Sequence, residues 1–321
     1  MEKEIVALHC LVLGGAGFIG SHIVDALIAR DHRVRIFDLP RINTLNLKQS
    51  MDSVEILSGD FNNVNDILSA LEDIDVVVHL VCTTLPGPSN ENPAYDVESN
   101  VIGTLNLLKQ AVAKGVKKII FPSSGGTVYG IPQSVPIPET HATNPICSYG
   151  VTKLAIEKYL ALFHHLYGLD YTILRLANPY GERQRINSVQ GAVTVFLGKT
   201  LSRHPITIWG DGSVARDYFY ISDLVSAFMA AIESDSPSKI YNISGGLPYS
   251  LNDILSVIRK VTGMQPEVRY TQGRRLDVPV NCLDIHLAKK ELGWQPKISL
   301  EEGIARTWEW INLLEDKHHR G

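Results

Sequence analysis

Tyr149 and Lys153 lie four residues apart in the stretch YGVTK, a spacing that sets a phenol and an ammonium on one face of a helix. A free phenol has a pKa near ~10 and is a poor base at neutral pH. An adjacent cation favours the phenolate, which can then take the proton of an alcohol or sugar hydroxyl. Upstream, Pro122-Ser123-Ser124-Gly-Gly-Thr127-Val-Tyr129-Gly130 follows an apolar strand pattern. It places hydroxyls at the carboxyl end of a sheet, where ligands bind in open α/β folds. One of them could hydrogen-bond a reacting oxygen. Serines after a strand are otherwise ordinary turn formers, so the group matters only beside Tyr149 and Lys153.

Oxidation of an alcohol needs a hydride acceptor, and the sequence offers a place for one. Gly14-Gly-Ala-Gly17-Phe-Ile-Gly20 falls between a strand pattern and a helix pattern. Gly14 permits the tight turn, Gly17 lets backbone approach a pyrophosphate, and Gly20 lets the helix pack closely on the sheet. Asp38 ends the next strand, about twenty residues on, where an acid bonds a ribose 2′-hydroxyl. That carboxylate repels a 2′-phosphate, which favours NAD over NADP. Arg33, Arg35 and Arg41 are the groups that could receive the phosphate instead. Asp60 follows the third strand, where it either meets the adenine amino group or caps a helix.

These residues need a scaffold, and the first half of the chain alternates strand and helix patterns. Residues 8–13, 33–38, 54–57, 76–80, 118–121 and 171–175 read as strands; 18–30, 95–114 and 149–167 read as helices. Such alternation predicts a parallel sheet with helices on both faces. After Asn178 the alternation fails, and Gly- and Pro-containing loops separate short elements. We expect a dinucleotide-binding domain over 1–177 and a smaller lobe over 178–321, with 214–242 returning to the first domain.

Composition bounds the partners. The 321 residues carry a formal net charge of −4, with 45% hydrophobic and 20% charged residues. That apolar share supports a sizeable core and excludes a disordered chain. The mild acidity gives no electrostatic footprint for nucleic acid or an anionic membrane. Cys10, Cys82, Cys147 and Cys282 form no CxxC pair, so neither a metal site nor a disulfide framework is expected. Cys10 and Cys82 read as small core residues. The N-terminus shows no basic region or cleavage site, and no apolar run approaches the ~20 residues of a spanning helix. A cytoplasmic location is the expectation.

The ordered motifs make the chain resemble an extended short-chain dehydrogenase/reductase, most closely the UDP-galactose 4-epimerase group of nucleotide-sugar enzymes. The resemblance rests on GGAGFIGSH, Asp38, Asp60, Asn100-Val-Ile-Gly-Thr104, SSGGTVYG and YGVTK. It continues through Arg175-Leu-Ala-Asn-Pro-Tyr-Gly181, GDGSVARDYFYISDL and the segment 274–284. It implies a Rossmann-type doubly wound α/β fold with a mixed α/β C-terminal lobe that binds the nucleotide sugar. It also implies bound NAD, a UDP-sugar substrate and a homodimer formed through two helices. The positions matching the cofactor shell are Gly14, Gly17, Phe18, Ile19, Gly20, Asp38, Asp60, Phe61, Leu80, Asn100, Tyr149, Lys153 and Ala177. Asn178, Arg216, Arg274 and Asp277 match nucleotide-sugar contacts. Two arginines suit a diphosphate, because guanidinium pairs bidentately with phosphate oxygens. Trp209 stands either near the uracil or in the lobe's core.

The implied reaction is reversible 4-epimerisation of a UDP-hexose or UDP-N-acetylhexosamine through a transient 4-keto sugar. Tyr149 would act as the base, Lys153 would lower its pKa, and Ser124 or Thr127 would bond the shifting oxygen. The sequence departs from the family pattern at three points. The family's catalytic Ser or Thr falls on Gly125, so Ser124 or Thr127 must supply the hydroxyl. A lysine of some members is Thr84 here, and a bulky gate residue is Asn281, small enough to admit an N-acetyl group. The rivals are a 4-ketosugar reductase, a 4,6-dehydratase, whose Asp-Glu pair is replaced by Gly126-Thr127, and a non-catalytic NAD-binding sensor.

Overall fold

The computed structural model describes residues 7–188, 190–273 and 278–319. In chain order the first elements are β1 (His9–Leu13), α1 (Phe18–Ile28), β2 (Arg33–Asp38), β3 (Glu55–Ser58), α2 (Val64–Ala70) and β4 (Val76–His79). Next come α3 (Pro93–Asp96), α4 (Gly103–Lys114), β5 (Lys118–Ser124), α5 (Ser148–Tyr167), β6 (Asp170–Leu176) and β7 (Asn178–Tyr180). The remainder comprises α6 (Ala192–Leu201), β8 (Ile206–Trp209), β9 (Ala215–Tyr220), α7 (Ile221–Glu233), β10 (Ile240–Ile243) and β11 (Pro248–Ser250). It ends with α8 (Leu251–Thr262), β12 (Val268–Thr271), β13 (Val280–Asn281), α9 (His286–Leu292) and α10 (Leu300–His319).

A parallel seven-stranded sheet runs in the order β10-β6-β5-β4-β1-β2-β3. β1 and β4 are buried along their whole length, as their unbroken apolar runs require of strands covered on both faces. β1 pairs with β2 on one side and β4 on the other, so the chain reverses its winding direction there. That switch point is where open α/β sheets bind ligands. Leu11, Leu13, Val77, Ile119, Phe121 and Ile173 form one side of the core with Leu107, Leu108 and Ala111 of α4. Each large side chain so buried contributes about 1.5–3 kcal/mol.

The chain divides into two compact units. The first is Met1–Ile131, Ala142–Arg175 and Val225–Tyr241; the second is Pro132–His141, Leu176–Leu224 and Asn242–Gly321. In the second, β9 lies between β11 and β13 and also pairs with β7, while β12 pairs with β8. Residues 214–242 therefore do not enter the large sheet as one piece. β9 belongs to the small sheet, and β10 is the strand that joins the large one.

Residues 95–114 are not one helix either. Val97–Ile102 form a π-helical segment between α3 and α4. The extra residue per turn changes the phase between the polar pair Asp96 and Asn100 and the apolar face of α4, and such insertions recur at functional sites. Among the described residues no helix is long and apolar enough to cross a membrane. None of their His, Cys, Asp and Glu groups is arranged to hold a metal ion.

Candidate functional site

The glycine loop is built by steric necessity. Gly14 has φ +80°, and its N–H donates to the Phe37 carbonyl at 2.8 Å. A Cβ on Gly20 would stand 2.3 Å from the Gly14 oxygen, so no side chain fits there. Gly17 caps α1 without a side-chain hydrogen bond, and the first turn holds no acid, which leaves the positive end of the helix to an anion. Asp38 closes the loop from β2: its carboxylate accepts the Ala16 N–H at 3.1 Å and the Leu39 N–H at 2.9 Å. Burial raises its pKa, and those two N–H bonds oppose the rise. A side-chain-free turn, a helix N-terminus and a carboxylate at the strand end fit a dinucleotide.

Neighbouring groups sharpen this. Arg35 is buried and spent on Glu55 at 2.7 Å and on the Ala70 and Glu72 carbonyls, so it does not serve a 2′-phosphate. Phe18 and Ile19 are half-buried at the start of α1, and Leu80 follows β4 with its N–H on the Leu13 carbonyl at 3.1 Å. Phe61 is buried against His79, ring centroids 5.1 Å apart. Asp60 is exposed and accepts the Asn62 N–H; the cap of α2 is Asn63, so the capping role falls away.

A polar frame from distant turns sets the start of α5. Ser89 accepts the Tyr149 N–H at 3.0 Å and Asn90 the Ser148 N–H at 2.9 Å. The Ser148 hydroxyl donates to Asp96 at 2.7 Å. Asp96 is fully buried and also accepts from Thr84 at 2.5 Å and from the Asn100 amide at 2.9 Å. Asn100 in turn accepts the Thr83 N–H at 3.0 Å, which ties the π segment to the loop after β4. Asp96 went unread in the sequence, where a lone Asp inside a helical pattern carries no signal.

Tyr149 and Lys153 do share a face, but the expected depression of the phenol is not what its surroundings produce. Burial pushes the Tyr149 pKa up, and Cys82, Cys147 and Asp96 add to the rise. The buried Lys153 ammonium sits 5.6 Å from the Tyr149 ring centroid and 4.6 Å over the Phe121 ring, and it donates to the Pro122 carbonyl at 3.0 Å. Cys82, expected in the core, is exposed, because the loop after β4 turns outward beyond Leu80.

The hydroxyl loop closes on the same helix. Ser124, half-buried at the end of β5, has its carbonyl bonded by the N–H groups of Thr127 and Val128. The Thr127 hydroxyl is buried and has no hydrogen-bond partner. A Cβ on Gly150 would lie 2.9 Å from the Thr127 carbonyl oxygen, so the glycine after Tyr149 is what allows the contact. Gly125, the position matching the family's hydroxyl, is buried.

In the second unit, the Asn178 amide donates to the Asp217 carbonyl at 3.0 Å, and the Ala177 N–H to Ile243 at 3.0 Å. The half-buried Arg216 guanidinium donates to the carbonyls of Ala215 at 2.9 Å and Val278 at 2.6 Å. Trp209 ends β8 and is 47% exposed, which removes the reading of it as a core residue. Asn281 is 2% exposed and stands opposite Arg216 in the strand register. Arg274 and Asp277 lie outside the described residues. Asp217, another residue unread in the sequence, is buried and accepts N–H groups from Gly245 at 2.7 Å and Gly246 at 3.2 Å.

Residues 10–244 match the family described as "NAD dependent epimerase/dehydratase family". The UDP-glucose 4-epimerase of Mycolicibacterium smegmatis is 35% identical over 309 residues, 95% of this chain and 98% of the relative. A dTDP-4-dehydro-6-deoxyglucose reductase of Escherichia coli is 34% identical over 308 residues, 92% of this chain and 94% of the relative. Among solved structures, UDP-glucose 4-epimerase of Thermotoga maritima with UDP-glucose superposes with a TM-score of 0.91 at 37% identity, covering 96% of this chain and 100% of its own. UDP-N-acetylglucosamine 4-epimerase of Methanobrevibacter ruminantium, in complex with UDP-N-acetylmuramic acid, gives 0.90 at 31% identity, covering 97% and 100%.

Proposed function

The chain belongs to the NAD dependent epimerase/dehydratase family, and on that premise we propose that it is an isomerase inverting carbon 4 of a UDP-hexose or UDP-N-acetylhexosamine. The observation that carries the reading is the closure of the Thr127 main chain on Gly150, the residue after Tyr149, in a loop whose Thr127 hydroxyl is buried without a partner. Gly14, Gly17, Phe18, Ile19 and Gly20 hold the NAD pyrophosphate, and Asp38 holds the ribose. Asp60, Phe61, Leu80, Asn100, Lys153 and Ala177 complete the shell. The chemistry NAD supplies when bound is reversible hydride exchange with carbon 4 of the sugar.

The chain's own residues move the proton. Tyr149 takes it from the 4-hydroxyl and returns it after the face has changed. Lys153 supplies the positive charge that makes a buried phenolate accessible. Thr127, rather than Ser124, bonds the shifting oxygen, because its hydroxyl is the one buried without a partner. Asn178, Trp209, Arg216, Arg274 and Asp277 receive the uridine diphosphate. Free thiols at all four cysteines support a cytoplasmic setting. Exposed Tyr95, Ile102, Val151, Leu162 and Leu166 support a homodimer through the helices that carry them.

The 34% identity to a 4-ketosugar reductase keeps one second reading in view. Purified protein is incubated with UDP-glucose, UDP-N-acetylglucosamine and their galacto epimers, and the products are resolved. Interconversion without added cofactor, and with cofactor retained on the protein, is expected. Stoichiometric consumption of NAD(P)H with a 4-keto sugar, and no interconversion, would replace the epimerase reading by the reductase.

A further inference from the structure

We infer that Arg175 is a positioning residue that sets the register between the helix carrying Tyr149 and Lys153 and the loop carrying Thr127. Arg175 lies on β6 and is 3% exposed. Its guanidinium donates through Nε to Glu157 Oε1 at 3.0 Å and through Nη2 to Glu157 Oε2 at 2.6 Å. Its third nitrogen, Nη1, donates to the Tyr129 hydroxyl at 3.0 Å. Glu157 stands one helical turn beyond Lys153 on α5, and Tyr129 two residues beyond Thr127. A single planar fork therefore fixes both groups from a third element, and its geometry allows little play.

The strand under the loop joins the same network. The Ser123 hydroxyl donates to Glu157 Oε1 at 2.5 Å, beside the carbonyl of Pro122 that takes the Lys153 hydrogen bond. Ser123, Tyr129, Glu157 and Arg175 are all buried, away from bulk solvent. Although burial opposes the guanidinium charge, the Glu157 hydrogen bond and charge more than offset it and raise the Arg175 pKa. None of these four groups is assigned to cofactor or substrate; their effect on the reaction is through Tyr149, Lys153 and Thr127. The inference thus rests on the acid–base reading given above.

The test uses Tyr129→Phe, which deletes one hydrogen bond and leaves the Glu157 pair in place, with Arg175→Lys as a second variant that keeps the charge and loses the fork. Leu255→Ala, in the core of the second unit, is the control for lost stability alone. For Tyr129→Phe, kcat is expected to fall about tenfold or more with KM unchanged, in line with the sensitivity of aligned groups to small displacements. The Tyr149 ring resonances at a fixed neutral pH, followed by NMR of labelled tyrosine and assigned with Tyr149→Phe, are expected to shift in both variants, and the control to keep the wild-type positions. Unmoved Tyr149 resonances with full kcat in Tyr129→Phe overturn the inference. If the wild type turns over no UDP-sugar, the proposed function fails, and the resonances still decide whether Arg175 positions Tyr149.

Discussion

Lys153 stands with its ammonium 5.6 Å from the Tyr149 ring centre and gives its hydrogen bond to the Pro122 carbonyl rather than to the phenol. On the proposed reading its influence on Tyr149 is that of a charge, exerted through space. The phenol needs a cation for that role, because burial and the neighbouring Cys82, Cys147 and Asp96 all disfavour the anion.

Substituting Lys153→Met keeps the stem and removes the charge. The phenolate then loses its nearby cation, so the pH at which activity rises moves upward. Turnover at neutral pH is expected to drop by about 10²-fold or more. A kcat–pH profile with the wild-type midpoint would take Lys153 out of this role.

Thr127 and Ser124 are separable by burial: the Thr127 hydroxyl is shut from solvent, whereas Ser124 is half-buried. Thr127→Val replaces a buried, unbonded hydroxyl with a methyl group of the same shape. Stability should hold or rise slightly, since no hydrogen bond within the protein is lost. Turnover should fall about 10²-fold, the usual cost of removing one donor to a reacting oxygen. Ser124→Ala should retain most activity. Paired melting curves and steady-state rates check this, and equal losses from both variants would return the assignment to an open choice.

What the sequence made legible was local. GGAGFIG and Asp38 could be read because a tight turn, a helix start and a strand end lie within one βαβ unit, and the backbone alone dictates their glycines. Tyr149 and Lys153 could be read because helical spacing fixes their shared face. Asp96 could not: it meets Ser148 from 52 positions away, and only the folded chain brings them together. The π segment at Val97–Ile102 was hidden because periodicity averages over a single inserted residue. Cys82 looked like core, since an apolar run does not show where the chain leaves the sheet. Asp217 is similar, a carboxylate whose donors lie 28 and 66 positions further along the chain.

Asp38 binds the glycine loop through Ala16 N–H at 3.1 Å. Asp38→Ala removes both that bond and the charge that, on the proposed reading, faces a ribose 2′ substituent. NAD affinity is expected to fall by about tenfold, a loss of ~1.4 kcal/mol, while discrimination against NADP narrows. Fluorescence titration of the cofactor-stripped protein with NADH and NADPH measures both. Unchanged discrimination would show that another group reads the 2′ position.

Asp217 offers a stability test with a defined sign. Burial raises its pKa from 3.8 to about 6, against the pull of bonds from Ser244, Gly245, Cys282 and Leu283. Between those two values the folded chain holds a proton that the unfolded chain releases. The contribution of this group is therefore full below about pH 4 and is lost as pH rises through about 6, at up to ~1.4 kcal/mol per pH unit. Asp217→Asn cannot titrate and lacks this dependence. Its amide nitrogen also faces backbone N–H donors, so the variant should be less stable at every pH, but least so above pH 7. Thermal unfolding of both proteins from pH 4.5 to 8 should show the wild-type advantage shrinking with pH. A constant difference would mean that Asp217 titrates where an ordinary carboxyl does.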